Sequence, residues 1–317
     1  MEKIFPTGDE PINEIIERNC KRYDRRSKAR KACEWLPIHL PELDGRPFGV
    51  AWFGDPHLDD EDCNWPLLID DITLASTTQG VYGACIGDFT NNWVGRLMRL
   101  YSDQSTTKKD ARRLAAWFLR DCGVDWRLSL LGNHDDWQEG DAILGLIASE
   151  GMYLADWEAK VEFRAGKHSW KVHAAHDFKG NSIYNKTHGL AKAAMFGGAE
   201  AELYVAGHTH TVASQAFEAG PGNFVRMVRA SGYKGHDKHS VVNSFRQAQS
   251  GASVLTIFNP RARSKAGRVM VFEDLAAGCE VLRALRRDTA TEIAPVKALA
   301  PKAAKKPAKK RKSRARK

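Results

Sequence analysis

At 317 residues, 43% hydrophobic and 27% charged, the chain has the composition of a soluble globular protein with a sizeable core. No apolar run approaches the roughly 18–20 residues that a membrane span needs. Residues Met1–Pro6 carry no apolar signal segment, and the six cysteines lie scattered without C-x-x-C pairs. No membrane partner and no disulfide scaffold are therefore expected, and the cysteines read as reduced thiols of a cytoplasmic protein. The net charge of +9 misleads as an average: residues 291–317 hold eleven Lys/Arg against Glu292, or +10, leaving −1 for residues 1–290.

Along the chain, Ile12, Ile15 and Ile16 with the charged stretch from Arg18 to Lys31 predict a partly exposed helix over 11–34. Pro37, Pro41 and Pro47 punctuate an extended segment, so residues 1–47 are a helical and extended lead-in. The first strand, Phe48–Phe53, runs into Asp55-Pro56-His57, and Val81–Ile86 runs into Gly87-Asp88. A helix is expected over Thr107–Arg120, with Leu114, Trp117 and Phe118 as its apolar positions. Leu128–Leu131 then precedes Gly132-Asn133-His134-Asp135, and a helix follows over Asp141–Ser149. Val161–Arg164 and Trp170–Ala175 form a hairpin around Ala165-Gly166-Lys167, and the second of these strands ends at His176-Asp177. Leu203–Ala206 ends at Gly207-His208-Thr209-His210. Further strands are expected at Thr211–Phe217, Asn223–Arg229, Ser253–Phe258, Arg268–Phe272 and Glu280–Leu285. Strand–helix alternation followed by many strands predicts two sheets packed face to face with helices outside. The main domain spans 48–288. Residues 289–317, rich in Lys, Ala and Pro, are expected to be a disordered basic tail.

Open α/β sheets build their sites beyond the carboxyl ends of strands. Each motif here lies at such an end, and together they deliver two carboxylates, one Asn and four His. That donor set can hold two divalent ions, and imidazole with carboxylate suits Mn, Fe or Zn. Singly, each motif has a bland reading: Asp-x-His is usually a cap or surface feature, Gly-Asp is a routine turn, and G-N-H-D alone is a loop. Their ordered joint occurrence is what carries the signal.

The ordered set D-x-H, G-D, G-N-H-D, H and G-H-x-H resembles the calcineurin-like metallophosphoesterases over roughly residues 48–260. The resemblance implies a four-layer α-β-β-α sandwich of two mixed sheets flanked by helices. It implies a first metal held by Asp55, His57 and His210, a bridging Asp88, and a second metal held by Asn133, His176 and His208. It casts His134 as general acid, positioned by Asp135. One departure stands out: the family often writes G-D-x-x-D, and here the fifth position is Asn91. The stretches H-D-F-x-G-x-S-x-x-N (from His176) and G-Y-K-x-x-D (from Gly232) are similar to metallophosphoesterases of phages and prophages. The implied activity is phosphate-ester hydrolysis, with a hydroxide bridging the ions as attacking group.

Around that constellation, His176–Gly189 reads as a long polar loop in which Lys179, Asn185 and His188 could hold substrate, or which could be an ordered surface loop. Lys234 is a similar candidate. Trp65, Trp93 and Trp137 follow ligand motifs closely, so they could stack a base or pack loops down. His173 is expected to be a packed strand residue, and His168, His236 and His239 to be exposed. The tail could neutralise nucleic-acid phosphates, bind acidic proteins, or be a solvated extension, with nucleic acid leading. Three functions therefore compete: a phosphodiesterase or nuclease, a phosphomonoesterase on nucleotides or phosphoproteins, and a non-catalytic nucleic-acid-binding protein. The oligomeric state is not legible.

Overall fold

Strand β2 (Phe48–Phe53) is buried along its whole length, and its alternating side chains account for the layers. Phe48, Val50 and Trp52 enter one apolar cluster, while Ala51 and Phe53 enter another. A strand buried on both faces needs a layer on each side. The computed structural model describes residues 11–32, 35–41, 45–137, 145, 151–180, 182–235 and 253–287.

In chain order, the remaining strands are β1 (Leu36–His39), β3 (Val81–Cys85), β4 (Trp126–Leu130), β5 (Tyr153–Ala155), β6 (Glu158–Ala165), β7 (His168–Ala175) and β8 (Leu203–Ala206), then β9 (Ala213–Gly220), β10 (Asn223–Arg229), β11 (Val254–Phe258) and β12 (Val269–Phe272). The helices are α1 (Ile12–Ala32), α2 (Trp65–Thr77), α3 (Lys108–Arg120), α4 (His188–Phe196) and α5 (Leu275–Arg287), with a 3-10 stretch at Gly95–Asp103. One sheet has the order β12-β11-β2-β3-β4-β5 and the other β1-β6-β7-β8-β10-β9. Both are mixed. β2, β3, β4 and β5 run parallel, and β11 is antiparallel to β2. In the other sheet β7, β8 and β10 run parallel, and β9 is antiparallel to β10.

The inner faces meet through Phe48, Val50, Trp52, Ile86 and Leu130 on one side and Phe163, Trp170, Val172 and Val205 on the other. Phe48 stacks on Phe258 at 5.0 Å and meets Trp170 edge-on at 5.3 Å. Such pairs contribute about 0.5–1.5 kcal/mol each beyond their area. Trp52 satisfies its indole by donating to Thr256 Oγ1 at 2.8 Å. The outer face of the first sheet is covered by Leu68 and Ile72 of α2, Phe118 of α3, and Leu275, Cys279 and Leu282 of α5. The outer face of the second is covered by Leu190 of α4, over Tyr204, Ala206 and Met227. The result is an α-β-β-α sandwich, as the motifs implied.

Two helix starts are set by polar caps: Asn64 accepts from Leu67 N before α2, and Thr107 accepts from Asp110 N before α3. The strand expected at Glu280–Leu285 is instead the second half of α5. Leu275, Cys279 and Leu282 recur at i, i+4 and i+7, so the apolar set makes a helical stripe, and the short window Val281–Leu285 concealed that period. β9 begins two residues later than expected, and the last two residues of the polar loop, His188 and Gly189, already belong to α4. Apart from Gly145, the helix expected over Asp141–Ser149 lies outside the described residues, as do His236, His239 and the basic tail 289–317. Among the described residues no helix is long and apolar enough to cross a membrane.

Candidate metal centre

The carboxyl ends of β2, β3, β4, β7 and β8 deliver the five motifs to one edge. Their loops turn in an unusual way. Among the described residues six non-glycine residues have positive φ: Asp55, His57, Asp88, Asn92, His208 and His210. Five of these are expected ligands. Left-handed backbone costs a non-glycine residue energy, and such strain collects at functional sites. The loops also approach one another closely. A Cβ on Gly132 would lie 2.6 Å from Asp88 Cγ and 2.7 Å from Asp88 N. Only glycine lets the third loop pass over the second.

Asp88 occupies the middle. Its Oδ2 lies 3.4 Å from His176 Nε2, 3.9 Å from His57 Nε2 and 4.0 Å from His134 Nε2. His176 Nε2 is 3.2 Å from Asn133 Oδ1 and 3.0 Å from His208 Nδ1. Asp55 Oδ1 is 3.5 Å from His176 Nδ1, and Asp55 Oδ2 is 3.8 Å from His210 Nε2. All seven expected ligands thus form one connected cluster. Two trios sharing Asp88 have donor atoms close enough for one ion each: His57, Asp88 and His134, and Asp88, His176 and His208.

The residues fit divalent metal. Asp55 Oδ1 and His57 Nδ1 are buried without a hydrogen-bond partner, a deficiency that costs about 1–3 kcal/mol per group until a ligand meets it. Burial lowers His57, His208 and His210 below the ordinary imidazole range, His210 to about 4, so they are neutral and keep a lone pair to give. Burial alone would raise Asp88, but His176, His134 and His57 overcome it and hold the carboxyl ionised. The same carboxylate, with Asp55, lifts His176 to about 9 against the cost of burial. His176 Nδ1 donates to Ile86 O at 2.8 Å, which leaves Nε2 facing the cluster.

Asp135 has a different position from the one expected. It does not hold His134. Its Oδ2 accepts from Asp88 N (2.5 Å) and Gly132 N (2.8 Å), and its Oδ1 from Phe89 N (3.0 Å). The carboxylate is a clamp between the second and third loops. His134 instead donates from Nδ1 to Asn91 O at 2.5 Å. Its ring lies between those of Trp93 and Trp137, at 5.3 and 4.3 Å. Burial lowers its pKa, with the Asp88 charge opposing.

Asn91, where the motif departs from its usual form, is the hub of this layer. Its amide donates to Asp60 Oδ2 at 2.7 Å, its backbone N–H donates to Asp59 Oδ1, and its Oδ1 accepts from Lys234 Nζ at 3.3 Å. A carboxylate at position 91 would face the buried Asp60 carboxylate, and the amide turns that repulsion into a hydrogen bond. Lys234 is correspondingly committed. It is 8% exposed, ion-paired with Asp60 at 2.8 Å, and lies over the Trp93 ring. Its ammonium is held beside the His134 loop, where its charge acts on His57, His134 and His210.

The other candidates divide. Lys179 and His188 are exposed on the loop and the start of α4. Asn185 is occupied locally: its Oδ1 accepts from Thr187 N and Oγ1 at 2.9 and 2.8 Å, shaping the turn before α4. Trp65 packs on Trp117 at 6.1 Å, away from the metal residues. His173 is packed between Phe178 and Tyr204 and lies 3.5 Å from Glu158. His168 is half-buried against Trp170.

Two residues escaped the sequence reading. Buried Arg229, at the end of β10, donates to Asp177 Oδ1 at 3.0 Å, to Lys186 O at 3.2 Å and to Gly207 O. It ties the loop after His176 to the loop before His208. The only local signal is a charged residue closing an apolar strand. Trp157 leans edge-on against His176 at 4.9 Å and lies 6.3 Å from His208, with its Nε1 donating to Asp177 O. It precedes β6, with no motif beside it.

No protein-family model matches the sequence, and no curated protein does. Solved structures similar to this chain include a metallophosphoesterase from Sphaerobacter thermophilus (14% identity, 75% of this chain and 93% of that one, TM-score 0.36). Vps29 from Entamoeba histolytica, in a structure with zinc, is 12% identical over 71% of this chain and 97% of that one, with a TM-score of 0.35. NAD nucleotidase from Haemophilus influenzae is 11% identical over 71% and 49%, with a TM-score of 0.39. In its ordered motifs and its two mixed sheets, the chain is similar to the calcineurin-like metallophosphoesterases.

Proposed function

We propose that the protein is a dinuclear, divalent-metal-dependent phosphoesterase that cleaves phosphodiesters of nucleic acid. The observation that carries this reading is the convergence on Asp88 of two carboxylates, one amide and four imidazoles, five of them on left-handed backbone. Asp55, His57 and His210 would hold one ion, Asn133, His176 and His208 the other, and Asp88 both. Two such ions, Mn, Fe or Zn by donor chemistry, supply Lewis acidity toward phosphoryl oxygens and acidify water.

The chain's own residues then have defined tasks. His134 keeps a proton on Nδ1 for Asn91 O, so Nε2 is the atom that faces the metal cluster. The Asp88 charge and Asn91 O both favour the doubly protonated ring, whose Nε2 proton can pass to the departing oxygen of the ester. Trp93 and Trp137 hold the ring in place and keep water from its flanks. Asp135 fixes the backbone of Asp88, and Arg229 fixes the loops that bear His176 and His208. The basic run 289–317 favours a polyanionic substrate.

The test is a panel of mono- and diesters with single- and double-stranded DNA and RNA, assayed with Mn²⁺. His134→Ala should lower turnover by about 10²–10⁴-fold for nucleoside esters and much less for a nitrophenyl ester, with metal content near wild type. An equal loss across leaving groups removes the general-acid role. Activity confined to monoesters favours the nucleotide or phosphoprotein phosphatase reading.

A further inference from the structure

The loop that leaves His176 carries features that the ligand cluster does not use. Arg229 pins both of its ends, through Asp177 Oδ1 and Lys186 O, and pins Gly207 with them. Residues 178–180 and 182–185 therefore belong to an excursion anchored at the metal edge. At its tip Ile183 is 81% and Tyr184 93% exposed. Adjacent and open to water, these two side chains give the tip an apolar surface that a partner can cover. Between Asp177 and Glu200 the chain has no acid and three cations, Lys179, Lys186 and Lys192, all exposed or half-buried. At the foot of the loop stands Trp157, 40% exposed, its indole plane fixed by the bond to Asp177 O.

We infer that Trp157, Lys179, Tyr184 and Lys186 form a track for a single-stranded polynucleotide leading to the His176–His208 side of the metal centre. The inference rests on the phosphodiesterase reading and names its substrate class. Lysines spaced along a loop meet successive phosphates, while aromatic faces stack unpaired bases, and every base has such a face. A duplex hides those faces, so single strands are preferred. An anionic membrane would also meet lysines and apolar side chains. The anchoring of both loop ends beside the metal ligands argues for an occupant that must reach them.

The full-length protein is tested in EDTA, so that binding is read without turnover, against fluorescein-labelled dT12 and a duplex of equal length. The single strand should bind more tightly. Tyr184→Ala should weaken dT12 binding by about 5- to 100-fold. Lys186→Glu should lower the log–log salt slope by about 0.7 or more. On the wild-type chain, 5-iododeoxyuridine strands should crosslink to peptides containing Tyr184 or Trp157. Wild-type affinity and slope in both variants, with crosslinks confined to 289–317, overturn the track. So does a dependence on Tyr184 and Lys186 of binding to vesicles of anionic lipid but not to dT12. Separately, wild-type protein with Mn²⁺ is offered a nitrophenyl phosphodiester. No turnover there, with the crosslinks intact, defeats the enzymatic reading and leaves the track standing as a binding surface.

Discussion

Gly132→Ala is the smallest change that should disable the centre. The new methyl would lie 2.6 Å from Asp88 Cγ and 2.7 Å from Asp88 N. Ordinary contact begins at 3.4 Å and the carboxylate oxygen Asp88 Oδ1 is nearer still, so the two loops must part by more than the shortfall at Cγ. Neither neighbour can yield freely. Asp88 N is held by Asp135 Oδ2 at 2.5 Å, and Asp88 Oδ1 accepts from His134 N at 2.9 Å. Metal–ligand distances tolerate only about ±0.2 Å, and a misplacement near 1 Å costs on the order of 10²-fold in rate. Overpacking should also cost about 1–3 kcal/mol of stability, or roughly 2–10 °C in melting temperature. Mn²⁺ titration by calorimetry should show affinity reduced at least about 10- to 100-fold, with turnover following. Gly220→Ala is the control, because nothing lies within 4 Å of where its methyl would stand and its backbone is not left-handed. Wild-type Mn²⁺ affinity and stoichiometry in Gly132→Ala would refute the claim that this close approach sets the Asp88 geometry.

Further outcomes follow from the same geometry. Asp88→Ala should lose both ions and essentially all turnover, whereas His173→Ala, whose ring packs against Phe178 and Tyr204, should keep its metal by elemental analysis. Two ions retained in Asp88→Ala remove the bridging role. Asp135→Asn should lower Mn²⁺ affinity and reduce turnover equally for all leaving groups, because the carboxylate serves backbone N–H groups of Asp88, Phe89 and Gly132. A loss confined to poor leaving groups would place it behind His134 instead. Truncation after residue 288 should preserve turnover of a small ester and flatten the salt dependence of DNA binding, by about 0.7–0.9 in slope for each phosphate the tail had neutralised. An unchanged slope makes the tail a solvated extension.

What was legible in the chain was whatever repeats at short range. Short apolar runs marked β2 and β8, which are buried throughout, and alternation marked later strands such as β10. The ligands were legible because each follows such a strand by a few residues. What escaped depends on residues far apart in sequence. Asp135 and Asp88 are 47 positions apart, and Arg229 and Asp177 are 52 apart. No local spacing distinguishes an aspartate that orients its neighbour from one that clamps a distant loop. Asn91 departs visibly from the motif, but its meaning lies in Asp60 and Lys234, which no motif links to it. The error at Glu280–Leu285 is of another kind, since a six-residue window is too short to separate a half-buried helix from a strand.

The left-handed residues carry a wider consequence. At Asp55, His57, Asp88, His208 and His210 the local preference of the chain opposes the global fold, at about 1–3 kcal/mol each where the conformation is sparsely populated. The rest of the molecule must over-determine those turns, and the doubly buried sheets do so. A glycine at His208 or His210 would ease that opposition while removing a donor. The metal edge is therefore a place where selection for thermal stability and selection for catalysis pull in opposite directions. Carboxylate and imidazole side chains on unfavourable backbone are the mark that function leaves on a fold.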